Sequence, residues 1–179
     1  MVDPLTTRRI LHRALFAGIA AVILFLHLLP LSSGAGGIPG PDLMLALTLA
    51  WVLRRPDYVP ALLIVAVFLL EDLMYMRPPG LWPLIVLLGT ELLRAREQGL
   101  RDLPHVLELA VVGGLMVAML IARRLVLALV MIEQPPLGME LLRLLVTLAA
   151  YPLVVVASRL ALGLRRAAPG EVDALGHRL

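Results

Sequence analysis

Two adjacent carboxylates, Glu71 and Asp72, close the apolar run Phe68-Leu69-Leu70 and precede a Pro78-Pro79-Gly80 turn. Paired acids inside an apolar helix are the groups of a proton relay or a substrate site. In hydrocarbon each ion costs roughly 2.5–3.5 kcal/mol even on lenient insertion scales, so such acids face inward, pair, or react. Counted along its helix, Glu71 stands about 21 Å from the start near Asp57 at 1.5 Å per residue. Arg143, Arg123 and Arg124 fall at a comparable depth, and the arginine fork suits a carboxylate bidentately. The expectation is that Asp72 or Glu71 pairs with Arg143 or with one of Arg123 and Arg124, an internal clamp that fixes helix register. A relay would need more polar groups at that depth, whereas Thr48, Thr90, Glu91, Thr147 and Ser158 are scattered.

Other chemistry has little to stand on. His105 and Glu108 have the i, i+3 spacing of some metal-binding helices, but two ligands make no site, and they read as side chains of a first helical turn. His27 has no second His or carboxylate at helical spacing and reads as an interior histidine. The sequence contains no Lys, Cys or Asn, and all sixteen basic residues are Arg. Walker-type phosphate binding, Schiff-base and thiol chemistry, disulfides and N-glycosylation are thereby excluded. No G-x-S-x-G or H-E-x-x-H motif occurs. No catalytic residue, metal or cofactor is expected.

The elements that position these residues belong to a membrane. Hydrophobic residues make up 60% of the chain and charged residues 16%, with a mean hydropathy of +0.93. These values lie outside the soluble globular range. The 179 residues leave room for one transmembrane helical domain, 1–166, and a short cytoplasmic tail, 167–179, expected to be disordered. The net charge of +3 does not indicate nucleic acid, because the arginines sit at the ends of apolar segments rather than in one patch.

Taken in order, Arg8, Arg9 and Arg13 precede a first helix, 14–31. A Gly/Pro/Ser loop, 32–41, leads to Asp42, placed as an N-cap for the short helix that ends at Arg54-Arg55. That helix is about 18 Å long, so it must thin the bilayer, start in the loop or be shielded by its neighbours. Val59–Met76 carries the acidic pair, 81–93 is a second short helix, and a fifth starts at Pro104 as N1. It is expected to continue at least to Ala122; beyond Arg123-Arg124 either the helix tilts and continues or Leu125–Ile132 lies along the outer interface, the second being preferred because 104–122 already measures close to the core thickness. A last helix covers 139–164. Twelve arginines fall on the predicted inner side and four on the outer, which gives about six spans with both termini inside. Ala110, Gly114, Ala118 and Ala122 recur every four residues as a ridge of small side chains, a device for close helix approach, expected to face an internal partner.

In the order of these features the chain resembles the bacterial rod shape-determining protein MreD family. The signature is Leu70-Glu71-Asp72-Leu73 followed by Pro78-Pro79-Gly80-Leu81. The Pro41-Asp42-Leu43 helix start, the turn WVLRRPDYVP and the basic loop before the fifth helix are similar too. The resemblance implies a non-catalytic, multi-pass scaffold of the bacterial inner (cytoplasmic) membrane within the cell-elongation and peptidoglycan-synthesis machinery. Implied partners are an MreC-like bitopic protein, MreB, and RodA with its transpeptidase. It also implies a fold like the S-components of energy-coupling-factor vitamin transporters, and hence a second reading as a small-molecule-binding transport subunit.

Overall fold

In the computed structural model, residues 4–29, 39–96, 99 and 104–162 are described. The expected tail, 167–179, and most of the Gly/Pro/Ser loop lie outside them. The helices are α1 (Pro4–Leu28), α2 (Leu43–Arg54), α3 (Ala61–Met74), α4 (Leu81–Ala95), α5 (His105–Leu129) and α6 (Leu137–Leu162), with a 3-10 turn at Pro56–Tyr58. No strand occurs among the described residues. Thr6–Leu28, His105–Leu129 and Leu137–Leu160 are each long and apolar enough to cross a bilayer, so the chain is an all-helical membrane protein.

Helices consecutive in the chain run in opposite directions, so that polar side chains gather at two ends. The starts of α1 and α5 and the close of α2 and α4 meet at what is here termed the Arg54 end. The starts of α2, α4 and α6 and the close of α3 and α5 meet at the Gly80 end.

The middle of the bundle is α2. It is apolar on every side, the pattern of a helix buried all round, and each residue from Met44 to Arg54 is buried. Its shortness is thus met by shielding. It packs on α6 and α4, with α1 along one flank. Phe16, Ala20 and Leu24 of α1 form an i, i+4, i+8 stripe against it, and the Phe16 and Trp51 rings lie 5.4 Å apart. On α3 the buried stripe is Ile64, Val67, Phe68, Glu71 and Asp72, which turns both acids inward.

Four expectations need correction. First, α1 starts about ten residues earlier than the apolar run, because nothing between Pro4 and Ala14 breaks a helix and proline suits a first position. Second, α5 runs unbroken through Arg123-Arg124 to Leu129, with Pro104 as its N-cap rather than N1. Arginine is a good helix former, and Glu140 of α6 pairs with both side chains. Third, Ala110, Gly114 and Ala118 face out of the bundle, and only Ala122 leans on the core. The close internal approach uses the adjacent Gly113, where a Cβ would stand 3.2 Å from Leu148. Fourth, His27 is exposed and meets Tyr75 edge-on at 6.4 Å.

Both α3 and α5 close at the Gly80 end in the same way. Arg77 N–H donates to the Asp72 carbonyl and Met76 N–H to that of Leu73, while Ile132 and Met131 bond Leu127 and Ala128. These are Schellman closures, in which the residue after the cap adopts a left-handed backbone. Glycine is usual there, yet Met76 and Met131 hold φ of 49° and 56°. Both methionine side chains are almost fully exposed.

Candidate functional site

At the Arg54 end one cluster is closed and buried. Arg54 Nη2 donates to Glu108 Oε1 at 3.0 Å, and the Tyr151 hydroxyl donates to the same oxygen at 2.6 Å. A second Arg54 nitrogen reaches the Ala50 carbonyl at 3.0 Å and the Tyr151 oxygen at 3.4 Å. All three residues are buried, so the knot ties α2, α5 and α6 together. The last turn of α2 aims Arg54 back along its own helix, and Glu108 stands one turn into α5. Sequence reasoning placed Arg54 among the inner-side charges and Glu108 among first-turn side chains, and did not connect them. The missed signal was an acid inside an apolar helix, the feature that singled out Glu71. Nearby, Arg13 donates to the Asp57 carbonyl and His12 stacks on Tyr58 at 4.2 Å, fastening α1 to the 3-10 turn.

At the Gly80 end the expected clamp takes another form. Neither Glu71 nor Asp72 pairs directly with Arg143, Arg123 or Arg124. The closure of α3 folds the chain back so that Arg77 reaches Glu71 at 3.6 Å, with its guanidinium over the Tyr75 ring. Arg143 instead meets Asp42 at 3.6 Å, and Arg123 meets Glu140 at 3.9 Å. Arg124 is hydrogen-bonded to Glu140 and to the Pro135 carbonyl. Sequence proximity explains the change. Arg77 is carried back by its own turn, and Glu140 sits one turn before Arg143 and directly opposite the arginine pair.

Asp72 serves the α3–α4 turn. Its carboxylate accepts the Gly80 N–H at 3.2 Å, at the very start of α4, so it caps that helix from eight residues away. Gly80 itself holds φ of 97°, a left-handed conformation that glycine adopts without a Cβ penalty. The acid, the proline pair and the glycine thus form one structural unit. Asp42 caps α2 as expected, accepting from Leu45 N–H at 2.9 Å. Its own N–H donates to Thr147 Oγ1 at 2.8 Å, and that hydroxyl donates to the Arg143 carbonyl.

Of the supporting polar residues Thr147 joins the Gly80 end, and the others are scattered. Trp51 Nε1 donates to Ser158 at 3.2 Å, Thr90 returns to the Leu87 carbonyl, and Glu91 pairs with Arg94 at 3.1 Å. Gly114 and Ala118 belong to neither cluster. Between α2, α4, α5 and α6 at the Gly80 end lies a cavity of about 300 Å³, walled by Arg77, Arg123 and Arg143 among others. No group of three or more His, Asp or Glu among the described residues is arranged to hold a metal.

No family model matches the chain, and neither the curated proteins nor the solved structures include a match.

Proposed function

We propose that this chain is a non-catalytic membrane scaffold, a subunit of the bacterial cell-elongation machinery that links peptidoglycan-synthesis partners on the two sides of the inner membrane. The observation that carries the reading is the unit formed by Asp72 and Gly80. The signature that resembles the rod shape-determining family is here a capped turn with a physical reason for its Asp72 and Gly80 positions. The Arg54–Glu108–Tyr151 knot adds rigidity, since its charged groups are committed to holding helices rather than presented to a substrate.

In this reading the Arg54 end faces the cytoplasm, as the arginine bias requires, and the chain crosses six times with both termini inside. MreB, RodA with its transpeptidase, and an MreC-like bitopic protein are the partners. The outward ridge of Ala110, Gly114 and Ala118 is a face on which a partner's single helix would pack closely. Depletion in the source bacterium is the test, and rounding of the cells is the expected outcome. Rods that persist without the protein would overturn the reading. Replacing Gly114 and Ala118 with Leu is expected to release the bitopic partner on purification while leaving protein levels intact.

A further inference from the structure

Three arginines converge on the cavity at the Gly80 end, and none is fully used. Their ion pairs stand at 3.6, 3.9 and 3.6 Å, with Arg77 also over the Tyr75 ring and Arg123 over that of Trp82. A closed charge-assisted N–H···O bond spans about 2.7–2.9 Å, so each pair stands open by nearly 1 Å. Two lining side chains also keep a buried donor nitrogen with no acceptor, Nε of Arg143 and Nε1 of Trp82. A buried donor without an acceptor costs about 1–3 kcal/mol, so a protein rarely leaves two beside one cavity.

The acids present do not fill this need. Asp42 and Glu140 also line the cavity, and Arg77 is answered by Glu71 behind the wall, so the lining itself sets two acids against three arginines without a net charge at this end. Asp42 Oδ1 is occupied by the α2 amide, and Glu140 is bonded to Arg124. Deeper in, the wall turns apolar, with Met116 and Leu120 of α5 facing Leu45 and Leu144. Cationic rim and apolar floor lie within one cavity of about 300 Å³, at the low end of the range for small-ligand sites.

We propose that this cavity binds a phosphate-bearing amphiphile, with the phosphate held among Arg77, Arg123 and Arg143 and the apolar portion lying against Met116 and Leu120. Guanidinium forks match phosphate oxygens in pairs, and three of them supply more donors than one carboxylate could accept. The phosphate could come from a membrane lipid or from a soluble ester, and the apolar floor selects the lipid. This site stands whether or not the chain is a scaffold.

Calorimetric titration of the detergent-solubilised full chain tests it, with dioctanoyl phosphatidic acid and with glycerol 3-phosphate as probes. The lipid is expected to bind saturably with one site, and glycerol 3-phosphate at least about tenfold more weakly, in competition with it. Arg123→Gln is the first variant, because Arg124 still holds Glu140 and the α5–α6 contact survives. It is expected to weaken both probes about tenfold, the loss of one charged hydrogen bond. Leu120→Trp keeps every charge and fills the floor, so it is expected to weaken the lipid alone. Lipid binding unchanged in Arg123→Gln would overturn the site. Equal affinity for the two probes, or a Leu120→Trp variant that binds the lipid normally, would overturn the amphiphile.

Discussion

The two polar ends of this bundle use the same residue types to opposite effect. At the Arg54 end one arginine and one tyrosine close on one glutamate at 3.0 and 2.6 Å, and on each other at 3.4 Å. At the Gly80 end four arginines and four acids, Asp42, Glu71, Asp72 and Glu140, balance in charge but not in geometry. Three of the pairs are open and a cavity lies among them. Charge neutrality alone therefore does not make a lock. What makes one is short contact with every proton placed, and an end that lacks it keeps donors available to something else.

The sharpest way to break this comparison is at the knot. Glu108→Gln or Arg54→Met alone is expected to remove about 3–5 kcal/mol of stability, because each leaves a buried partner uncompensated. The double variant Arg54→Met/Glu108→Met should recover most of that loss, since an apolar pair can replace a buried ion pair. Unfolding in mixed detergent micelles measures both, and a single variant that melts with the wild type would show that the knot is not a lock.

At the other end the effects are expected to be smaller. Asp72→Ala removes a helix cap and should cost about 1–2 kcal/mol, whereas Asp72→Asn keeps an acceptor and should cost about half of that or less. Equal losses in the two would mean that the charge of Asp72, and not its cap, matters, and would restore the clamp expected from the sequence. Met76→Gly is expected to stabilise the closure of α3 by up to about 1 kcal/mol, because it relieves a left-handed backbone at an exposed side chain. Arg143→Gln should change stability by less than about 1 kcal/mol, its pair with Asp42 being open and part-exposed. A loss as large as that of Glu108→Gln would erase the distinction between the ends.

Smallest of all is the contrast within one helix. Gly114→Ala meets open space and should leave the melting point unmoved, while Gly113→Ala must displace Leu148. The two differ by one position in sequence, and melting curves of both check which of them is internal.

Much of the architecture was legible before any coordinates. Apolar segments bounded by arginines and by Pro/Gly turns located α2, α3, α4 and α6 to within a few residues. Asp42 followed by a helical run was enough to identify a cap. Legibility failed where a pattern must distinguish the two sides of a helix. In a bilayer, lipid-facing and core-facing side chains are the same Leu, Val and Ala, so the ridge at Ala110, Gly114 and Ala118 looked as suitable for an internal neighbour as Gly113 did. Depth was likewise a poor guide to pairing. Arg143 and Arg124 stood at the right height for Glu71, but other acids were nearer.

What the sequence determined by itself is the class of protein, its helices and the ends at which its charges gather, because hydrocarbon tolerates only helices with closed backbones and puts charges at the margins. It also fixed the turn after Asp72, a local device whose acid and glycine lie eight residues apart. Only tertiary structure decided which acid meets which arginine. Arg54 and Glu108 are 54 residues apart and their meeting depends on how α2 seats between α5 and α6. The same seating leaves the Gly80 end open, since three arginines brought together by two different helices and a turn cannot all close on the acids beside them.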